Sequence, residues 1–325
     1  MNFSNLVNLS NCNLLVIGDV MLDHYIYGEC NRISPEAPVP VFEINNEQKM
    51  LGGAGNVVKN IFALGAKCDF ITVIGNDQEG EDMTLLLVQQ GVKADNILKE
   101  DNRQSTLKKR LIASSQQLIR IDKESRFDID KKTEKKIFEI VENNISNYDI
   151  ILLSDYLKGV LTKELCRSII DLCNSKGIKL IIDPKGNDYS KYKNAYLLKP
   201  NLKELGVATN RKIDNLEDIQ SAAHSLKKEL NIHSLIVTMG DRGIFFSDKI
   251  DKVCSTISNN VFDVSGAGDT VFASIGVCLA NGYNIDLACK FANSAASIVI
   301  RKFGSETTTI EEIIQNLKLN EKYFN

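Results

Sequence analysis

The amino-acid sequence predicts an α/β fold, with a mostly parallel sheet covered by helices on both faces. Short apolar runs that read as buried strands alternate with segments of helical spacing, and two of these runs end in an aspartate. The 325 residues, 43% of them hydrophobic, suffice for a large core. No linker, internal repeat or low-complexity tract divides the chain, so we expect one domain over residues 1–325.

The predicted elements follow one another from the first apolar run, Leu14–Gly18, which carries Asp19 at its carboxyl end. Further strands are predicted at 68–75, 150–153, 179–182, 195–198 and 234–238. Helices are predicted at 52–65, 81–90, 163–175, near 202, at 216–230 and at 270–279. This alternation is typical of parallel strands connected by helices.

Two segments break the alternation, at residues 24–46 and 102–123. The first contains Pro35, Pro38 and Pro40, which exclude a helix there, and the second is rich in β-branched and polar residues. We expect both to form a small β-sheet that covers the site as a lid or serves as a dimer surface. Two long surface loops are the alternative.

Composition excludes several classes of function. A net charge of −3 and a pI of about 5.8 argue against nucleic acid or an anionic membrane as the partner. Eight cysteines without a C-x-x-C pair, no signal peptide and no apolar segment of membrane-spanning length predict a cytoplasmic location. The three histidines lie far apart and indicate no metal-ligand cluster.

A glycine-rich turn late in the chain contains the residues that indicate a reaction most directly. Gly266 and Gly268 permit backbone conformations that side chains forbid, so the amides of Gly266, Ala267 and Gly268 can converge on an anion. The following helix places its positive end there. Asp269 stands beside this hole and can take a proton from an attacking hydroxyl, which suggests phosphoryl transfer. An ordinary helix cap is the alternative.

Polar residues around the first strand suit a sugar. Asp19 and Asp23 flank its end, and a carboxylate can accept two hydrogen bonds from hydroxyls. Gly52 and Gly53 allow a ligand to approach the backbone, where Asn56 can reach it. The alternatives are a turn cap with a solvated carboxylate for the first pair, and tight helix–strand packing for the glycines.

Two later turns suit a nucleotide. Asn201 caps a helix, and Glu204 follows three residues later, so the pair could hold the waters around Mg²⁺ beside a triphosphate. Gly240 and Gly243 lie in a turn after Thr238, where a nucleotide could rest against the backbone. The alternatives are a cap and nothing more for the first turn, and a β-hairpin for the second.

Some basic residues are candidates for a substrate phosphate, although most basic side chains are simply solvated. The candidates are Lys108, Arg110, Arg120 and Lys185. Neither a P-loop nor the protein-kinase motifs occur, and Val58 stands where a dinucleotide fingerprint needs its third glycine. A pyridine-nucleotide dehydrogenase is therefore not expected.

In combination the motifs resemble the ribokinase-like (PfkB) family of sugar kinases, from about Leu14 to Thr309. The motifs are Gly-Gly-x-Gly-Asn at 52–56, Asn-x-x-Glu at 201–204 and Gly-Ala-Gly-Asp at 266–269. The run RISPEAPVPV at 32–41 is similar to a subfamily that acts on a heptose 7-phosphate. The segments at 116–122, 153–161 and 182–186 are similar to it as well.

The resemblance implies a ribokinase-like fold in which ATP phosphorylates the C1 hydroxyl of D-glycero-β-D-manno-heptose 7-phosphate. This is a step toward ADP-heptose and the lipopolysaccharide core. It implies ATP and Mg²⁺, allows a monovalent cation, and implies a homodimer through the lid strands. Asp269 is implied as the base, and Gly266, Ala267 and Gly268 as stabilising the transferring phosphoryl group.

The remaining site residues also follow from the resemblance. Those implied for the sugar phosphate are Asp19, Asp23, Gly52, Gly53, Asn56, Arg110, Arg120 and Lys185. Those implied for the nucleotide are Asn201, Leu202, Lys203, Glu204, Thr238, Gly240, Gly243 and Asn293, with Asn201 and Glu204 also at the metal.

Alternatives to this function stay open from the sequence. One is a kinase of the same fold that acts on another sugar, and another is a silent homologue that binds sugar or nucleotide. The family also occurs fused to a nucleotidyltransferase domain. Because the sequence ends at Asn325 without an H-x-G-H motif, we expect it to make the bisphosphate and stop.

Overall fold

A computed structural model describes residues 9, 11–256, 261–302 and 304–320; the predicted domain bounds therefore lie outside the described residues. Its strands are β1 (Asn13–Gly18), β2 (Val20–Ile33), β3 (Pro40–Gly53), β4 (Lys67–Gly75), β5 (Ile97–Glu100), β6 (Leu107–Ala113), β7 (Gln116–Lys123), β8 (Ile150–Ser154), β9 (Lys179–Asp183), β10 (Leu197–Leu198), β11 (Ser234–Thr238), β12 (Ile244–Ser247) and β13 (Asp251–Cys254). Its helices are α1 (Ala54–Ala63), α2 (Gln78–Gln89), α3 (Lys131–Asn144), α4 (Lys163–Lys176), α5 (Leu202–Thr209), α6 (Leu216–Leu230), α7 (Ala267–Ala280), α8 (Ile285–Val299) and α9 (Ile310–Leu319).

Nine strands form the central sheet, in the order β13-β12-β11-β10-β9-β8-β1-β4-β5. Seven neighbouring strands of this sheet run parallel: β5, β4, β1, β8, β9, β10 and β11. At the other edge, β12 pairs antiparallel with β11, and β13 pairs antiparallel with β12. Strand β1 is buried on both faces, because Leu14 and Val16 enter one core while Leu15 and Ile17 enter the other. The predicted mostly parallel sheet is confirmed.

Helices cover both faces of this sheet, each with its own apolar core. One core receives side chains from α1, α2, α7, α8 and α9, including Phe272 and Phe291. The other receives side chains from α3, α4, α5 and α6, including Ile169 and Leu226. Among the described residues, no helix combines the length and apolar character needed to cross a bilayer.

The two interrupting segments form a separate four-stranded sheet in the order β3-β2-β6-β7, so the loop alternative is wrong. Strand β2 pairs antiparallel with β3 along almost its whole length, from Val20 opposite Gly53 to Ile33 opposite Pro40. We call this sheet the lid. The glycine pair Gly52-Gly53 was predicted in a helix but ends β3 instead, because pairing with β2 continues to the edge of the central sheet.

The fold brings polar residues together at the carboxyl edge of the parallel strands, where open α/β sheets bind ligands. Asp19 follows β1, Asp183 ends β9, and Lys199 follows β10. Helix α7 begins nearby at Ala267, three residues earlier than predicted, because Gly266 adopts a left-handed conformation (φ 75°) at its N-cap.

Candidate active site

Asp269 lies in the first turn of α7, where the amides at a helix N-terminus lack intrahelical partners. Gly266 must be glycine, because a Cβ there would lie 2.6 Å from the Asn56 amide nitrogen on a backbone with positive φ. A Cβ on Gly268 would meet no atom within 4 Å. The helix terminus therefore opens onto free space beside Asp269, which suits an anion.

Two donors hold the Asp269 carboxylate, which is only 7% exposed. Asn56 donates from Nδ2 to Oδ2 over 2.8 Å, and the Tyr156 hydroxyl donates to Oδ1 over 2.5 Å. Burial raises the pKa of Asp269, whereas these two donors and the nearby Lys199 act to lower it. A buried, oriented carboxylate of this kind can serve as a general base.

On the lid side, Asp23 accepts a hydrogen bond from Arg110 over 2.5 Å. The two residues lie on neighbouring strands β2 and β6, and the Arg110 guanidinium also sits over the Tyr25 ring. Gly52 leaves room for Asp23, because a Cβ would lie 2.2 Å from its Oδ2. A cavity of about 830 Å³ opens beside Arg110 and Tyr25 and reaches Asp263. Its basic and hydroxyl groups can receive a phosphorylated sugar.

On the opposite side, a smaller cavity of about 180 Å³ extends from Asp269 and Gly268 to Glu204 and Thr238. Asn201 and Glu204 form a capping box, in which each backbone amide donates to the other residue's side chain over 2.9 Å. Glu204 also accepts from Lys185 Nζ over 2.6 Å. The capping contacts are thus present, and both residues also line the smaller cavity.

Residues 12–312 match the model of a protein family described as "pfkB family carbohydrate kinase". The chain therefore belongs to the pfkB family of carbohydrate kinases. The chain is 47% identical over 300 residues to the bifunctional protein HldE of Sulfurimonas denitrificans, covering 92% of this chain and 63% of that protein. It is 48% identical over 305 residues to the bifunctional protein HldE of Campylobacter curvus, covering 94% of this chain and 65% of that protein. The chain thus spans slightly less than two thirds of these relatives.

Solved structures agree on the fold. Phosphofructokinase-2 from Escherichia coli in complex with potassium superposes with a TM-score of 0.78 at 20% identity, covering 95% of this chain and 99% of that one. Ribokinase from Arabidopsis thaliana, complexed with ribose and ATP, superposes with a TM-score of 0.73 at 21% identity, covering 94% of this chain and 99% of that one. These structures confirm the predicted ribokinase-like fold, and the family match confirms the predicted carbohydrate-kinase class.

In this kinase Asp19 has a different environment from the one expected for a sugar ligand. It is 1% exposed, and its carboxylate accepts the backbone amides of Tyr156, Lys158 and Val160 over 2.8, 3.1 and 3.1 Å. Burial, with help from the Asp155 charge, raises its pKa to about 6. The Asp19 carboxylate is thus occupied by the loop after β8, whereas the Asp23 carboxylate pairs with Arg110, which lines the lid cavity.

The basic candidates separate into two groups. Arg110 and Lys108 lie on β6 and face the same side of the lid as Asp23; burial lowers the pKa of Lys108. Arg120 lies opposite Arg110 on β7 but is half exposed and paired with its neighbour Asp122. Lys185 is not near the lid group; it lines the smaller cavity with Glu204. Sequence spacing could not show this pairing, because Lys185 and Glu204 follow two different strands whose ends meet only in the folded chain.

The remaining nucleotide candidates also differ in position. The turn after Thr238 is a hairpin between β11 and β12, as its alternative predicted. Gly243 is packed there, since a Cβ would lie 2.0 Å from the Cys254 carbonyl, whereas Gly240 faces open space. Asn293 on α8 donates to the Ser255 carbonyl over 2.6 Å and so fixes the backbone after β13.

The two residues after Asn201 on α5 lie away from the smaller cavity. Leu202 packs partly buried against the core that α5 and α6 share, and Lys203 is exposed. Both line a separate surface groove with Arg211 and Ile213. A direct contact of these two side chains with a ligand in the smaller cavity is therefore not supported by the geometry.

Sequence reasoning did not assign three residues that the fold places in the smaller cavity: Tyr156, Asp183 and Lys199. Lys199 is 3% exposed and pairs with Asp183 over 3.0 Å. Burial raises the pKa of Asp183 to about 7, although Lys199 opposes the shift. Asp183 and Tyr156 follow predicted strands, and that position at the carboxyl edge is the signal that could have identified them.

Proposed function

We propose that this kinase transfers the γ-phosphoryl group of ATP to the C1 hydroxyl of D-glycero-β-D-manno-heptose 7-phosphate. The product is the 1,7-bisphosphate, and the reaction is a cytoplasmic step toward ADP-heptose and the lipopolysaccharide core. The observation that carries the proposal is the position of Asp269, which stands at the N-terminus of α7 in the wall of the smaller cavity and interacts electrostatically with Asp23 of the lid. The RISPEAPVPV run and the relatives called HldE support this choice of sugar.

The sugar phosphate is assigned to the lid side. Burial chiefly, and to a lesser extent the charge of Asp23, raises the pKa of Asp269, so the two carboxylates interact, and we assign to Asp23 a sugar hydroxyl next to the base. Arg110 and Lys108 supply positive charge for the 7-phosphate, Arg110 as a planar fork and Lys108 as a point charge. The backbone of Gly52 and Gly53 allows close approach of the sugar ring.

ATP is assigned to the smaller cavity beside Glu204, Lys185 and Thr238. Among the described residues no group of three or more His, Cys, Asp or Glu side chains could hold a metal ion directly. This fits Mg²⁺, which keeps most of its water when carried by a nucleotide, and Asn201 and Glu204 would hold it through that water. When bound, Mg²⁺ neutralises charge on the phosphate oxygens.

The residues then account for the transfer. Asp269 orients the C1 hydroxyl and accepts its proton as the new oxygen–phosphorus bond forms and the bond from the γ-phosphorus to the leaving ADP oxygen breaks. Amides at the start of α7 stabilise the charge on the transferring group, with Gly268 leaving the space open. The lid covers the sugar and limits hydrolysis of ATP by water.

The outer face of the lid supports a homodimer. Ile119 and Ile121 on β7 are 51% and 47% exposed, and they alternate with Arg120 so that they lie on the face away from the lid cavity. Exposed β-branched side chains on a lid strand suit a second copy of the chain. Ile119→Glu is expected to convert the dimer to monomers in sedimentation experiments; a wild-type monomer contradicts the dimer.

The first experiment is ADP release with Mg-ATP and the heptose 7-phosphate, compared with fructose 6-phosphate, ribose and a blank without sugar. Turnover specific to the heptose phosphate supports the proposal. Turnover with another sugar supports a kinase with Asp269 as its base but rejects the heptose 7-phosphate as its substrate. Absence of turnover with every sugar, in protein that binds ATP, indicates a silent homologue.

A further inference from the structure

Tyr156 lies in the loop between β8 and α4, and its hydroxyl is the donor to Asp269 Oδ1 at 2.5 Å. The contact joins two elements that are 113 residues apart in the chain. On the other carboxylate oxygen Asn56 is the donor. With one donor on each oxygen, the Asp269 carboxylate cannot rotate freely, and each oxygen retains a lone pair for a substrate hydroxyl.

The backbone that carries Tyr156 is fixed from two sides. Asp19 accepts the amide of Tyr156 and two further amides of the same loop. Asp155, the residue before Tyr156, accepts from Lys191 Nζ over 2.5 Å and from the Tyr192 hydroxyl over 2.7 Å. A rigid loop therefore holds the Tyr156 hydroxyl in place. Precise placement of the base requires that the group which orients it is itself held in this way.

We propose that Tyr156 is a positioning residue for the base: its hydroxyl holds the Asp269 carboxylate in the reactive orientation and favours its ionised form. The proposal rests on the role of Asp269 as the base. It also gives Asp19 a function, since this aspartate anchors the loop that presents Tyr156.

The electrostatics around Asp269 agree with this role. The groups that face its carboxylate are Tyr156 from the loop after β8, Asn56 from α1, Lys199 after β10 and Asp23 from β2. Asp183 at the end of β9 also interacts with it. Burial and the Asp269 charge raise the pKa of Tyr156 well above its ordinary value, so its hydroxyl remains a donor at neutral pH.

The test is Tyr156→Phe, which removes the hydroxyl and keeps the ring. We expect kcat/KM near pH 7 to fall by about tenfold to a hundredfold, as for loss of a hydrogen bond to a charged group. The acid limb of the pH profile should move to higher pH by about one unit, because Asp269 loses a donor that stabilises its ionised form. A loss of activity with an unmoved acid limb overturns the proposal, and so does an unchanged kcat/KM.

Tyr189→Phe is the matched control. Tyr189 is 4% exposed, and its hydroxyl has no hydrogen-bond partner within the described part of the chain. Loss of this hydroxyl should leave both kcat/KM and the acid limb unchanged.

A second measurement separates this proposal from the choice of substrate. The carboxyl carbon of Asp269, labelled with ¹³C and assigned by its absence in Asp269→Asn, is titrated by NMR without any sugar. Its midpoint should lie at higher pH in Tyr156→Phe than in the wild type. Equal midpoints overturn the proposal even if the heptose phosphate is the substrate, whereas a shifted midpoint supports it even if the substrate is another sugar.

Discussion

Asn56 in the first turn of α1 donates its amide to the Asp269 carboxylate over 2.8 Å, although 213 positions separate the two residues. The same amide nitrogen lies 2.6 Å from the place that a Cβ on Gly266 would take. The early Gly-Gly-x-Gly-Asn motif and the late Gly-Ala-Gly-Asp motif therefore form one structural unit. Each motif restricts the residues that the other can carry.

Asp269→Asn should lower turnover by on the order of 10²-fold or more, because the amide cannot accept the proton of the attacking hydroxyl. Binding of ATP should change little, since the substitution preserves size. Steady-state turnover and ATP titration by calorimetry provide the two readouts. Near-normal turnover in this variant would show that another group is the base.

Arg110→Gln should raise the KM for a sugar phosphate by about tenfold or more, because a partly buried charged partner of Asp23 and of the phosphate is lost. Arg120→Gln is the matched control on the neighbouring strand. Its guanidinium is half exposed and paired with Asp122, so an effect below about threefold is expected. Equal effects of the two substitutions on KM would place the phosphate elsewhere on the lid.

Lys185→Met should raise the KM for ATP by about tenfold while leaving the KM for the sugar phosphate nearly constant. The reason is its ion pair with Glu204 at the smaller cavity. Lys203→Met on the exposed side of α5 is the control and should affect neither constant. If Lys185→Met acts mainly on the KM for the sugar phosphate, the assignment of the two cavities is reversed.

Asp19 should link stability to pH. Its pKa in the folded protein is about 6, against about 3.9 for an unfolded aspartate, so the folded state binds this proton more tightly. Its contribution is fully present below pH 4 and is lost as the pH rises through 6. At pH values well below 4 this tighter proton binding contributes about 3 kcal/mol to the free energy of unfolding.

Asp19→Asn removes this linkage. Between pH 4 and pH 7 the free energy of unfolding of the wild type should therefore fall by about 2 kcal/mol relative to the variant. Urea unfolding of both proteins at pH 4, 5, 6 and 7 measures the difference. Asp183, which also has a raised pKa, is present in both proteins and does not affect the comparison. A difference that stays constant with pH contradicts the prediction.

Several features could be predicted from the sequence because they depend on local patterns. Short apolar runs are buried strands wherever both faces of a parallel sheet are covered, as in β1 and β8. Prolines defined the first lid segment, since they exclude a helix there, and β-branched residues in the second segment favoured strands. The glycines of the Gly-Ala-Gly-Asp turn identified the start of α7, because few other residues allow its backbone conformation.

The sequence by itself thus determined the fold class, the lid and the residue types available for phosphoryl transfer. Only the tertiary structure decided which of them meet. It places the Asp19 carboxylate against the loop after β8, pairs Asp23 with Arg110 and Lys185 with Glu204, and brings the Tyr156 hydroxyl to Asp269. The physical reason is that these side-chain contacts join residues far apart in the chain, and they depend on where the strands that carry them end in space. The sequence around a carboxylate, a lysine or a tyrosine does not show which distant residue it will contact.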